Sequence, residues 1–259
     1  MRLRQRVPLY DALAVDYDRF VNWEGRLAHE LPFFLSLFRA HGVSYVLDAA
    51  CGTGHHAFSL SSRGYTVAGA DLSTRMIEQG RQNAVAQDVE VSFKVAGLGE
   101  LVEAFGAGSQ DAVLCLGNSL PHLLSAAELQ RALVDFAGVL RPGGLAIVQN
   151  RNFDRVWAEQ DRFMPPQSYR DAQGEWLFVR FYDFHPETVT FNMIRLWRTE
   201  GDWQYSVEAT ELRPIFHDDL VAGLGAAGFG EIRLYGSYEG SAFEPTQSGD
   251  LIAVAIKPA

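Results

Sequence analysis

Residues 45–54 read Tyr45-Val-Leu-Asp-Ala-Ala-Cys-Gly-Thr-Gly54, and the architecture of the chain can be read from them. A short apolar run, an acid and a glycine-rich bend follow in the order of a buried strand turning into a helix. Gly52 and Gly54 carry no Cβ, so main-chain amides can approach a ligand closely at the bend. Residues 65–70 form the next strand-like run, with Asp71 at its carboxyl end. On the amino-terminal side, 29–40 is a helix whose stripe is Leu31, Phe34, Leu35 and Phe38, ended by Gly42. Residues 54–62 supply the helix after the bend, and Ser73 caps another that carries Met76 and Ile77.

The same rhythm continues outward. Residues 91–95 and 111–116 read as a third and a fourth strand, the latter running into Gly117-Asn-Ser119. Ser125 and Glu128 make a capping box for a helix bearing Leu129, Leu133, Phe136 and Leu140. Arg141-Pro-Gly-Gly144 stops it, and 145–149 is a fifth strand. After Asn150 the pattern changes. Residues 176–185, 188–199 and 203–212 read as strands with turns at Pro186-Glu187 and Gly201-Asp202, an antiparallel set. A helix at 218–227 and strands at 231–235 and 251–256 return to the core.

The expected fold is α/β: a doubly wound, mostly parallel seven-stranded sheet with an inserted antiparallel three-stranded lid. Its divisions are an amino-terminal lid at 1–30, a core half at 31–150, the β insertion at 151–213 and a completing segment at 214–259.

Composition narrows the function. The chain has 259 residues, 47% hydrophobic and 21% charged, an ordinary balance for a packed domain. A net charge of -10 disfavours nonspecific nucleic-acid binding, which needs Lys and Arg against phosphates. The opening Met1-Arg-Leu-Arg-Gln-Arg6 is basic without the apolar core of a signal peptide. With no apolar run of about 18 residues either, a cytoplasmic protein without membrane contact is expected. Cys51 and Cys115 read as reduced packing residues. The neighbours His55 and His56 face different ways on a helix, so no metal site is expected.

At the bend, Asp71 can accept hydrogen bonds from the two hydroxyls of a ribose, while Asp48 can fix the glycine loop or meet a ligand's ammonium through water. A second reading stands beside this one. Gly52-Thr-Gly-His-His-Ala57 satisfies the dinucleotide pattern G-x-G-x-x-G/A, with an acid about 20 residues on, which would suit a nicotinamide oxidoreductase. Against it, Asp48 would repel a pyrophosphate but not a ligand carrying sulfonium and ammonium charges.

Asp48-Ala-Ala-Cys-Gly-Thr-Gly54 and Asp71-Leu-Ser-Thr-Arg-Met76 resemble the first two motifs of class I S-adenosylmethionine-dependent methyltransferases, with their Rossmann-like fold. Cys115-Leu-Gly-Asn-Ser-Leu-Pro-His122, Leu140-Arg-Pro-Gly-Gly-Leu145 and Asn150-Arg-Asn-Phe-Asp154 are similar to the glycine and sarcosine N-methyltransferase branch, over roughly 10–215. The resemblance implies S-adenosylmethionine as cofactor. Its methionine part would lie at the glycine loop of Gly52 and Gly54, its ribose at Asp71, and its adenine near Met76, Gly97 and Leu98, with Asp48, Ala50, Leu72 and Leu116 as further cofactor-binding residues. Ala96 stands beside the adenine-framing stretch, where the family often has an acid. The aromatic segment Tyr10, Tyr17, Phe20 and Trp23 resembles a lid helix over the cofactor, and is otherwise a packing face.

The resemblance gives substrate-facing roles to Asn118 and Arg151, with Tyr17 and His122 as further catalytic candidates. Arg151 can grip a carboxylate and aim the adjacent amine; otherwise it is a surface arginine after a strand. His122 and His217 are candidate proton acceptors or structural histidines. Arg213 is a second cationic grip or a partner of Asp218 or Asp219. The expected reaction is methyl transfer to the amine of a small acidic or zwitterionic metabolite. O-methylation, the oxidoreductase and a non-catalytic cofactor-binding protein are the alternatives. Strands of the insertion could also pair between subunits in a homo-oligomer.

Overall fold

The computed structural model describes residues 8–259, so the basic stretch 1–6 lies outside the described residues. Three helices open the chain: α1 (Pro8–Leu13), α2 (Tyr17–Phe20) and α3 (Trp23–His41). The core then alternates as β1 (Tyr45–Ala49), α4 (His55–Ser61), β2 (Thr66–Asp71), α5 (Thr74–Ala86), β3 (Ser92–Val95), α6 (Leu101–Phe105) and β4 (Gln110–Cys115). Helix α7 (Ala126–Val139) leads into β5 (Leu140–Arg151) and α8 (Phe153–Glu159). A second sheet follows, made of β6 (Gln167–Asp171), β7 (Gly174–Phe184), β8 (Val189–Arg198) and β9 (Gln204–Leu212). Helix α9 (His217–Ala226), β10 (Ile232–Tyr235) and β11 (Asp250–Ile256) complete the first sheet.

The seven-stranded sheet has the order β10-β11-β5-β4-β1-β2-β3. Strands β1 to β5 pair in parallel, whereas β11 pairs antiparallel with β5 and with β10. Strand β4 is buried along its whole length, as an apolar run covered by helices on both faces must be. The chain winds outward from β1 to β3 and then crosses back to β4 on the other side of β1. The strand order therefore reverses between β1 and β4, and a crevice opens beyond their carboxyl ends.

Local chemistry holds the elements in place. The capping box forms: Ser125 Oγ accepts from Glu128 N, and a Glu128 oxygen accepts from Ser125 N. Asp135 on α7 accepts from the main-chain amides of Gly99, Leu101 and Val102, satisfying the unpaired donors where α6 begins.

Three expectations are corrected. The inserted sheet has four strands, because 167–171 pairs with β7 as an edge. That strand is polar and mostly exposed, so it lacks the apolar alternation that marks a strand. Helix α3 starts at Trp23, capped by the Asn22 side chain on Gly25 N, so the division at 30/31 falls within one helix. Helix α7 ends at Val139, before residues 141–144, which lie inside β5, where the register shifts between Gln110 and Ala112.

The inner face of the second sheet packs on the opening helices. Trp176, Phe178 and Met193 are buried with Leu9 and Leu13 of α1. Asp16 ties the layers together, accepting from Arg19 at 2.8 Å and from Arg195 of β8 at 2.7 Å. Across the crevice, Ser73 Oγ donates to Asp11 at 2.6 Å.

Candidate active site

Two adjoining cavities occupy the crevice. The first, about 480 Å³, lies beyond the ends of β1 and β2. Asp48, Ala50, Gly52, Asp71, Leu72, Met76, Gly97, Leu98 and Leu116 line it, and Tyr10, Tyr17 and Trp23 close it from the amino-terminal segment. The second, about 460 Å³, lies between the first sheet's edge and the inner face of the second sheet, with Asn118 and Arg151 in its wall. Tyr10, Tyr17, Arg26, Gly117 and His122 line both cavities and mark where they meet.

The glycine bend is built for close approach at one position. Gly52 has φ +55 and a side chain there would meet Tyr17 Cε1 at 3.3 Å, so the tyrosine ring lies on the bend itself. Gly54 is not on the cavity wall. Its absent Cβ would lie 2.7 Å from the rings of Phe58 and Phe93, so this glycine serves helix-strand packing.

Asp71 is fixed before any ligand arrives. Its two oxygens accept from Gly52 N at 2.9 Å and Ser73 N at 2.8 Å. Each carboxylate oxygen has a further lone pair for a hydroxyl. Asp48 is 2% exposed, and its Oδ2 has no hydrogen-bond partner. Burial pushes its carboxyl up to about 8, opposed by the nearby Arg26 guanidinium. A buried acid left this way suits a positively charged ligand.

Sequence reading passed over Arg26. It donates to Glu30 at 2.7 Å, and Glu30 in turn shares a 2.6 Å hydrogen bond with His56. Glu100 was also missed: it lines the first cavity and accepts from Gly97 N at 2.9 Å, reaching back into the stretch where Ala96 offers no acid. A side chain three residues along could have been found from the turn geometry of Gly97–Gly99. In the second cavity Gln149, Gln167, Arg180, Tyr182 and Asp250 were unforeseen.

Asn118 adopts φ 65, and its Oδ1 accepts from Arg151 N at 3.0 Å, so the two candidate residues are locked together. The Arg151 guanidinium lies 5.7 Å from the Tyr182 ring. His122 hydrogen-bonds Tyr10 Oη at 3.0 Å, and burial pushes its imidazole down to about 4. Burial likewise raises the Tyr17 phenol to about 12, so both groups are neutral at pH 7.

Other candidates are placed away from the cavities. His217 is held by Asp154, through its Nδ1 at 2.8 Å and its main-chain N at 3.1 Å. Arg213 lies 3.9 Å from Asp219. His55 stacks on Trp23 at 4.4 Å, separate from the His56–Glu30 pair. Cys51 and Cys115 are buried free thiols, and of the two Cys51 lines the first cavity. Among the described residues no helix is long and apolar enough to cross a membrane.

Comparison with known proteins accords with this geometry. A methyltransferase-domain family profile matches residues 46–144. The chain is 32% identical to a glycine/sarcosine N-methyltransferase of Halorhodospira halochloris, covering 88% of this chain and 81% of that protein. It is 30% identical to a glycine/sarcosine N-methyltransferase of Aphanothece halophytica, covering 86% and 80% respectively. The crystal structure of an S-adenosylmethionine-dependent methyltransferase from Clostridium acetobutylicum superposes with a TM-score of 0.76 at 16% identity, over 97% of each chain.

Proposed function

Because this chain belongs to the class I S-adenosylmethionine-dependent methyltransferases, in the glycine and sarcosine N-methyltransferase branch, we propose that it methylates the amine of a small carboxylate-bearing metabolite. It is an enzyme, and S-adenosylmethionine is its cofactor, which sets the nicotinamide and the non-catalytic alternatives aside. The observation that carries the finer reading is the junction of the two cavities: a cofactor-sized chamber opens onto one walled by Arg151 and Asn118.

The first cavity fits this cofactor. Asp71 would hold the ribose, Asp48 and Arg26 the charged methionine end, and Leu72, Met76 and Leu98 the adenine. The unpartnered Asp48 oxygen is the feature of this chain that a cationic ligand satisfies. When bound, the cofactor supplies a methyl carbon on positively charged sulfur, open to in-line attack.

The chain's own residues do the rest by orientation. Arg151 grips the acceptor's carboxylate through paired N–H donors. Asn118, fixed to the Arg151 main chain, sets where that grip lies. Tyr10 and Tyr17 exclude water at the junction without ionising. With His122 held near 4, the imidazole is too weak a base to take a proton from an ammonium. The amine is therefore delivered neutral, and the site contributes proximity and desolvation. This favours an amine over a hydroxyl, which would need a base.

Arg151→Ala tests the reading. Methyl transfer to an amino-acid acceptor should show KM raised by about 10- to 100-fold, the cost of a charge-assisted pair, with cofactor affinity by calorimetry unchanged. Equal losses of both would reject Arg151 as the acceptor's grip.

A further inference from the structure

We propose that the acceptor is an amine carrying two carboxylates, the first held by Arg151 and the second by Arg180. This rests on the reading of Arg151 above and adds to it the second cation. Arg180 stands in β7 at an inward register position, opposite Met193 and between Phe178 and Tyr182. Around it on that face Trp176, Phe178 and Met193 are buried with Leu9 and Leu13, and the face's other guanidinium, Arg195, is matched by Asp16. A guanidinium placed there is partly displaced from water, its Nε fully so, and gains from a counter-charge or hydrogen-bond acceptors.

The protein supplies little of either. Among the described residues, neither Arg151 nor Arg180 comes within 4.0 Å of a carboxylate oxygen. Of the cavity's acids, Asp250 stands opposite Arg151 in the sheet and accepts from Gln149 at 2.8 Å, and Glu30 is shared between Arg26 and His56, which leaves Arg180 the unmatched cation. The Arg180 Nε is buried without a partner, and Nη2 makes one long hydrogen bond, 3.4 Å, to Pro165 O. Its guanidinium carbon also lies 5.0 Å from the Phe20 ring. Burial and the neighbouring Arg151 both work against its charge.

Arg151 and Arg180 thus face one chamber with Tyr182 close to Arg151, two cations of like sign held where each raises the energy of the other. A ligand with a single carboxylate would neutralise one and leave the other unmatched. A second carboxylate removes the imbalance.

The test uses the full chain, S-adenosylmethionine with a labelled methyl group, and two sets of acceptors: aspartate, glutamate and iminodiacetate against glycine, sarcosine and alanine. The wild-type chain should favour the dicarboxylic set in kcat/KM. Arg180→Leu should lower the ratio of dicarboxylic to monocarboxylic kcat/KM by about 10- to 100-fold, as loss of a charged pair does, and Arg180→Lys should recover part of it. Cofactor binding by each variant reports that the fold is kept; should the leucine variant fail to fold, Arg180→Gln is read in the same way. Preference for the monocarboxylic set, with a ratio indifferent to Arg180, would overturn this inference and leave amine methylation standing. Label on no acceptor of either set would overturn both.

Discussion

Asp71 and Asp48 lie on one cavity wall and burial pushes both carboxyls up, but only on Asp71 do main-chain hydrogen bonds oppose it. Asp71 accepts two main-chain hydrogen bonds, which hold its carboxylate in place for its proposed role at the ribose. Asp71→Ala should weaken S-adenosylmethionine by about 1.5–3 kcal/mol, the worth of charge-assisted bonds; unchanged affinity by titration calorimetry would dismiss the ribose role. Asp48 is raised by burial to about 8 from 3.8. A carboxyl raised in the folded state favours folding when protonated, and that contribution is lost as pH climbs from about 4 through about 8. A cationic cofactor instead favours the ionised form. Its affinity should therefore rise from pH 6 to pH 9, and Asp48→Asn should flatten the rise. A profile equally steep in the variant would assign the titration elsewhere. Both acids are visible in the sequence as strand-end residues beside glycine. Arg26 is not, since a cation in the first turns of a helix looks solvent-facing until the crevice folds around it.

At the scale of elements, the opening helices act as a clasp between the two sheets. Asp16 receives Arg19 and Arg195, Arg19 lies 4.2 Å from the Trp176 ring, and Asp11 receives Ser73 from the cofactor side. The ion pair is only partly exposed, 17% and 13% for Arg195 and Asp16, so it is not a screened surface contact. Arg195→Ala should leave Asp16 half-paired and speed cofactor release several-fold, by about 1–2 kcal/mol, measured by stopped-flow dissociation. Release at the wild-type rate would show that the clasp does not retain the cofactor. The βα rhythm, the capping box and the three long inserted strands were legible because their apolar spacing repeats. Strand β6 was not, because an exposed edge carries no such signal. Nor was the inward face of the inserted sheet. In β7 both alternations are apolar, Trp176-Phe178-Tyr182 on one side and Leu177-Val179-Phe181 on the other, so nothing in the pattern told that Arg180 looks into the chamber.

For the whole molecule, the reversal of strand order beside β1 creates the crevice, the glycine bend and Asp71 line the half proposed for the cofactor, and the inserted sheet walls the half proposed for the acceptor. The first two were readable from residues 45–76; the third required knowing where the insertion folds back. Gly54 shows the limit of motif reading, since one glycine of the pair meets the cavity while the other admits two phenylalanine rings. The measurement that bears most directly on this arrangement is a crystal structure of the chain with S-adenosylhomocysteine and an acidic amino-acid acceptor. It should place the ribose hydroxyls on Asp71, the sulfur at the junction lined by Tyr17 and Gly117, and the acceptor's carboxylate on Arg151 with its nitrogen facing the sulfur. A nucleoside bound outside the first cavity, or an acceptor seated away from Arg151 with the junction filled by side chains, would contradict it.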